Sequence, residues 1–265
     1  PSHADYTAHV KYHGFEDHRG GGHFSGRLTA PLVGVGAIIS GALEAKGIKI
    51  ATHISQIAGV KDTPFTQENM EKAMDMLNAS LFAVIDQEKA SLMQQEITRA
   101  ASEGDSVGGI LETAVIGVPA GVGEPWFDSV ECVISEGVFA IPAVKGVEFG
   151  AGFSFAEMRG SKATDGFYIK DGTVYTKTNN NGGINGGITN GMPILFRTAV
   201  KPTPSVFVNQ DTVDLETMEN TVISLAGRHD PCIVHRARAV VDAVTAMAVA
   251  DMLCLRFGTD WLGGR

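Results

Sequence analysis

Four short stretches gather side chains that could bind anions or move protons. The run GRHDPC, residues 227 to 232, sets Arg228, His229 and Asp230 side by side, with Pro231 stiffening the chain just before a long helical pattern. A fixed cation, a base that titrates near neutrality and a carboxylate in that order suit proton transfer beside an anionic ligand. Asp230 alone also fits an ordinary helix cap. The run RGGGHFSGRLTAP, residues 19 to 31, leads three glycines through Ser25 and Arg27 into an apolar helix. Bare backbone N–H groups at a helix start plus a guanidinium make an anion site, and a tight turn explains the run equally well.

The third stretch is NNNGGINGGITNGMP, residues 179 to 193, with five glycines and five asparagines in fifteen positions. Such backbone reaches left-handed conformations cheaply and can cradle an anion. No G-K-[ST] follows at phosphate-loop spacing. Beyond it, KPTPS offers Lys201 and Ser205 as a point charge and a hydroxyl for a phosphate; an ordinary turn is the plain alternative. The fourth stretch is the start, PSHADYTAHVKYHG, where His3, His9, His13, His18 and His23 crowd the first 23 residues. His9 and His13 have the spacing of helical metal ligands, but the glycines from Gly14 onward argue against a helix there. No H-E-x-x-H accompanies them, so metal binding is the weaker reading and no metal is expected.

Several classes of function fall away on bulk properties. With 265 residues, 44% of them hydrophobic, the chain can build a substantial core. A net charge of -9 argues against a nucleic-acid binder. The three cysteines, Cys132, Cys232 and Cys254, form neither a disulfide framework nor a zinc pattern, which suits a reducing cytoplasm. No apolar run is expected to reach the roughly 20 residues that span a bilayer.

The elements that must position these clusters follow from periodicity. Residues 29–46 read as a helix opened by Thr29 and Pro31 and ended by Gly47; it is apolar or small on nearly every face, which predicts burial all round. A strand is expected over 48–58, helices over 67–79 and 86–101, and a strand after GDSVGG. Between 139 and 208 the runs VEFGAGFSFAEMRG, FYIKDGTVYTKT and PILFRTAVKP read as short strands parted by DG and GG turns. The last helix spans about 235–257 and stops at Gly258. The class is α+β. GVGA within the first helix lacks the third glycine of a dinucleotide loop, Ile39 standing there instead.

In order, PSHADYT, GGGHFSGRLTA, GDSVGG, IPAVKGVEFG, GGINGGITNGMPI, KPTPS and GRHDPC resemble the chorismate synthase family along essentially the whole chain. The resemblance implies a β-α-β sandwich with helices between antiparallel sheets, and a cytoplasmic homotetramer of the shikimate pathway. The implied activity is that of a carbon–oxygen lyase: 1,4-anti elimination of phosphate from 5-enolpyruvylshikimate 3-phosphate, giving chorismate on the route to aromatic amino acids. It uses reduced FMN without net redox change. A non-catalytic flavin- or phosphate-binding module is the alternative.

Carried across by motif, His3, Asp230 and Ser25 would be catalytic: His3 protonating the reduced flavin, Asp230 helping the substrate proton leave, Ser25 beside them. Lys201 and Ser205 would hold the FMN phosphate, Asn190 would line the flavin site, and Arg27 and Arg228 would face the substrate's anionic groups, Arg228 also near the flavin. His23 and Phe24 replace the family's common Arg-Ser, and Leu28 its glutamate. Family members also begin with a segment carrying G-E-S-H-G and further arginines. The resemblance therefore describes residues 1–265 as a single domain of this type lacking its N-terminal part, expected to be inactive by itself. Without a dinucleotide fingerprint, the flavin is expected to arrive already reduced.

Overall fold

The computed structural model describes residues 1–17, 19–225, 227 and 229–263. Helix α1 covers Asp5–Tyr12 and α2 Ala30–Glu44, entered through short 3-10 turns over 19–24 and 26–29. Strands β1 (Lys49–Ile57) and β2 (Val60–Lys61), helices α3 (Met70–Asn78) and α4 (Gln87–Ser102) and strand β3 (Gly109–Ile116) follow. Next come α5 (Val130–Phe139), β4 (Val144–Phe149), the one-turn α6 (Gly160–Ala163), the hairpin β5–β6 (Phe167–Lys170 and Thr173–Thr176) and the small hairpin β7–β8 (Ile184–Asn185 and Ile188–Thr189). Strand β9 (Ile194–Val200), the hairpin β10–β11 (Gln210–Asp214 and Glu219–Ile223) and helix α7 (Val234–Phe257) complete the chain.

The principal sheet is antiparallel throughout, in the order β2-β1-β3-β9-β4. Its largest apolar cluster joins Ile54, Leu111, Phe196 and Val200 of the strands to Ile134 and Val138 of α5 and to Val241, Val249 and Leu253 of α7. A second cluster seats Ala51 and Ala114 against Met70, Met74 and Leu77 of α3. Burying these side chains supplies the main folding drive, about 1.5–3 kcal/mol for each large one.

A polar row crosses the same sheet. His53 on β1 faces Glu112 on β3, Glu112 faces Arg197 on β9, and Arg197 faces Glu148 on β4. The His53 ring bridges two carboxylates, Nδ1 lying 2.8 Å from Asp62 and Nε2 2.8 Å from Glu112. Arg197 Nη2 donates to Glu148 at 2.8 Å. Burial lowers the His53 pKa, but the hydrogen bonds to Asp62 and Glu112 outweigh it and raise the value above its usual 6.5. On the α7 side, Thr52 and Thr113 share a buried hydrogen bond of 2.8 Å.

Helix α7 is buried along most of its length, as its sequence predicts. Helix α2 is not: only Gly36 and Leu43 are buried, while Val35, Leu28 before the helix and Ile38, 77% exposed, face outward. Helix α2 packs on α7 along one line through Gly36, so the apolarity of its other face is not matched by cover. Residues 26–44 are also long and apolar enough to cross a membrane by composition, contrary to the sequence expectation, although the Gly36 seam fastens this helix to the core.

Two further expectations change. A helix does form over Asp5–Tyr12; His13 adopts the left-handed conformation that ends it, and Gly14 lies beyond the end rather than within it. In the run after β4, residues 152–157 form a 3-10 turn rather than a strand, because Gly150 and Gly152 both take positive φ and turn the chain.

Candidate active site

Four chain segments converge at the end of β9 where Val200 gives way to KPTPS. Lys201 N–H donates to Ala143 O at 2.9 Å, which fixes the first residue of the segment against the start of β4. Ser106 Oγ donates to Thr203 O at 2.6 Å, and Phe207 N–H to Gly104 O at 2.8 Å, so the GDSVGG turn clasps the far side. Val107 N–H donates to Pro231 O at 2.8 Å and brings in the GRHDPC turn. The N-terminus arrives last, with Thr212 Oγ1 donating to Pro1 O.

Together these segments enclose a cleft of about 50 Å³, lined among others by Asp105, Ser205, Phe207, His229 and Asp230. His229 Nε2 in this cleft, and Thr203 Oγ1 in KPTPS outside its lining, are buried with no hydrogen-bond partner among the described residues. The unmatched His229 nitrogen and the Ser205 hydroxyl offer partners to a small polar group, while Asp105 and Asp230 line the same cleft and Lys201 does not.

His3 sits near Lys201: burial first and then the Lys201 ammonium lower its pKa below 6.5, with Asp5 opposing. Its own φ is 44°, an uncommon conformation for a non-glycine residue. Asp230 is not a helix cap, since α7 begins at Val234 with Ile233 before it and no side-chain cap. Its carboxylate instead accepts from Arg236 Nη1 at 2.7 Å. Arg236 was hidden in the sequence, where HRAR reads only as the polar start of a helix. Asp105 lies inside GDSVGG, where neither its neighbours nor its spacing marks it as part of a site.

Ser25, Arg27 and Asn190 do not line this cleft. Ser25 Oγ accepts from Arg27 N–H at 3.4 Å at the start of the 3-10 turn before α2, and Arg27 is exposed. Arg228 and His18 fall outside the described residues. His9 Nδ1 lies 2.9 Å from Glu16, and no metal-binding cluster of His, Cys, Asp or Glu occurs among the described residues. Asn190 lies at the opposite end of β9 from Lys201, a seven-residue strand away, roughly 20 Å at the usual rise.

The loop around Asn190 is bound inward. Asn179 Oδ1 accepts from Gly183 N–H at 2.7 Å and its Nδ2 donates to Pro193 O at 2.8 Å; Asn180 Nδ2 reaches Lys162 O and Ala163 O. Gly182 and Gly183 lie backbone against backbone: a Cβ on Gly183 would come 2.5 Å from Pro193 O, and one on Gly182 2.6 Å from Gly150 N. Much of the bare chain therefore serves chain-on-chain packing. Among the loop's glycines Gly186 alone has nothing within 4 Å; it follows Asn185, whose Oδ1 accepts from Asn190 Nδ2 at 2.7 Å, while a Cβ on Gly191 would touch Ala120 at 3.7 Å.

A family model described as chorismate synthase matches residues 1–254. The chain belongs to the chorismate synthase family. It is 48% identical over 256 residues to the chorismate synthase of Pyrococcus abyssi (strain GE5 / Orsay), covering 97% of this chain and 70% of that protein. The chorismate synthase of Thermococcus kodakarensis is 46% identical over the same coverage. A solved structure described as "Crystal Structure of Chorismate Synthase" superposes with a TM-score of 0.78 at 28% identity, over 97% of this chain and 72% of that one. The α+β class with helices packed on antiparallel sheets, expected from the sequence, is thus the fold of a chorismate synthase. Family membership also implies an enzyme with a small-molecule substrate.

Proposed function

We propose that the protein catalyses the 1,4-anti elimination of phosphate from 5-enolpyruvylshikimate 3-phosphate to form chorismate, with reduced FMN bound and no net redox change. The proposal extends to a cytoplasmic homotetramer serving aromatic amino acid biosynthesis. The observation that carries the reading is that Ser205 and Asp230 line one cleft at the end of the sheet, with Lys201 at the start of the same KPTPS segment and His3 close enough to feel its ammonium.

When bound, reduced FMN supplies transient electron density for breaking the allylic C–O bond. Lys201 and Ser205 would hold its phosphate, and the unmatched His229 Nε2 and Thr203 Oγ1 suit further donors or acceptors at the same group. His3, whose pKa is drawn down, is readily deprotonated; once protonated, its ring is a comparatively strong acid able to hand a proton to a neighbouring nitrogen. Asp230, held in place by Arg236, is positioned to accept a proton passed on from the substrate carbon. Arg27 and Arg228 would meet the anionic groups of a tri-anionic substrate, and Ser25 sets the turn that presents Arg27. Asn190, with Gly186 open beside it, offers a bare surface against which a flat ring can lie.

The test is anaerobic turnover of the natural full-length protein with reduced FMN, following phosphate release and chorismate absorbance together. Stoichiometric appearance of both, with Lys201→Ala weakening FMN binding about tenfold or more, supports the reading. Flavin binding without product identifies a non-catalytic module and overturns it.

A further inference from the structure

Asp165 precedes β5, 14 residues before the asparagine-glycine loop begins, and no role for it follows from any motif above. Its side chain is among the few buried charged groups of the fold, 4% exposed. The carboxylate collects four donors from the loop. Oδ1 accepts from Thr178 Oγ1 at 2.5 Å and Asn180 N–H at 2.8 Å; Oδ2 accepts from Asn181 N–H at 2.9 Å and Asn181 Nδ2 at 2.8 Å. An isolated buried carboxylate is costly, and a set of donors this complete is what makes one tolerable.

The contacts do not stop at Asn181. Holding 178–181 in a tight turn delivers the Asn179 amide to Gly183 N–H and Pro193 O, and Gly183 O then accepts from Asn190 N–H at 2.9 Å. Ala151 N–H donates to Asn180 O at 2.7 Å, tying the turn to the end of β4. The loop's glycines cannot hold the shape themselves, because glycine is the residue with most conformational freedom to lose. A single carboxylate thus sets the origin from which the open edge at Gly186 and Asn190 is built.

We propose that Asp165 is a positioning residue for flavin binding: it touches no ligand, and it fixes the 178–191 loop so that its open backbone edge is preformed. This rests on the reading that the edge faces FMN. Preformation lowers the ordering cost of binding, so its loss is expected in affinity rather than in the chemical step.

The experiment compares wild-type, Asp165→Asn and Thr178→Val full-length enzyme, with Gly36→Ala as a variant destabilised far from the loop. FMN affinity, kcat at saturating flavin and substrate, and amide hydrogen exchange are measured for each. Asp165→Asn has the same shape but turns one acceptor into a donor facing N–H groups. It is expected to raise the FMN Kd at least tenfold, leave kcat within about threefold and speed exchange selectively over 180–191. Thr178→Val, which removes one of the four donors and keeps the fold accessible if Asp165→Asn does not accumulate, is expected to raise Kd two- to fivefold. Gly36→Ala should lower global stability with Kd unchanged. Faster loop exchange with Kd within twofold of wild type in both loop variants would overturn the proposal, as would unchanged exchange over 180–191. If wild type itself binds no FMN, the flavin reading fails, and the exchange pattern alone then decides whether Asp165 holds the loop.

Discussion

Gly36 and Ala243 meet with no side chain between them: a Cβ placed on Gly36 would lie 2.3 Å from Ala243 Cβ and 2.5 Å from its Cα. Helices α2 and α7 therefore approach as closely as two backbones can at this point. Gly36→Ala gains about 1 kcal/mol of helix propensity but forces the helices apart, at about 1–3 kcal/mol. A net loss of about 1 kcal/mol is expected, rising to about 3 kcal/mol for Gly36→Val. Urea denaturation of both variants measures this; wild-type midpoints would show that the helices slide without cost.

Asp242, with its side chain 19% exposed on α7, has its pKa pushed up to about 6 by burial, against the opposing effects of Arg238 and Thr52. Its unfolded value is near 3.8, so its contribution is fully present below that pH and is lost as pH rises through 6. At neutral pH the charged form is thus a liability, of order 1–3 kcal/mol. Asp242→Asn is expected to stabilise the protein by about that much at pH 7.5 and by little at pH 4. Denaturant midpoints across that range decide it, and destabilisation at pH 7.5 would show that the Arg238 pair outweighs burial.

His53 behaves in the opposite way on substitution. Asp62 is held below 3.8, where burial alone would raise it, by hydrogen bonds from His53 and the N–H groups of Ile85 and Asp86. The His53 contribution is fully present below pH 6.5 and fades as pH climbs through its raised folded value; that of Asp62 is present above 3.8 and fades as pH falls through its lowered one. His53→Ala leaves two carboxylates facing a gap and is expected to cost about 3–5 kcal/mol near pH 6. The difference from wild type should shrink as pH rises above neutrality. A difference that is flat from pH 6 to 9 would mean the ring is neutral throughout.

Asp230 and Arg236 provide a functional comparison. Asp230→Asn in the full-length enzyme is expected to lower kcat by about 100-fold, the usual scale for losing a proton acceptor, while Arg236→Gln should cost less because the carboxylate remains. Steady-state phosphate release measures both. A rate within a few fold for Asp230→Asn would reduce the residue to a structural partner of Arg236.

Much of the scaffold could be read from the chain. Strand 49–57, helix 87–102 with Asp86 capping Glu88 N–H, and helix 234–257 fall within two residues of expectation because each has a clear period and a clear stop. Helix α5 is not among the expected elements: Val130, Ile134 and Val138 do make a buried stripe, but Gly137 and the β-branched run within its ten residues weaken the helical signal. The exposed face of α2 departs from the sequence expectation because composition reports which faces avoid water but not what lies against them. At the site, GRHDPC and KPTPS were legible as chemistry, yet their meeting with His3 and Asp105 depends on contacts across the whole chain. Likewise NNN looked like a ligand wall, and only the partners of Asn179, Asn180 and Asn181 reveal it as internal bracing.

The alternating row Asp62, His53, Glu112, Arg197 and Glu148 also acts as a key for strand alignment. Side chains in a sheet point to opposite faces in turn, so sliding β3 by one residue against its neighbours would carry Glu112 into the apolar interior shared with α7. Sliding it by two would leave the hydrophobic pattern intact but set Glu112 off from both His53 and Arg197. Hydrophobic alternation cannot tell that second misalignment from the native one, whereas the charges can. The row thereby excludes a near-native misfold, and by fixing β9 it also fixes where Lys201 leaves the sheet.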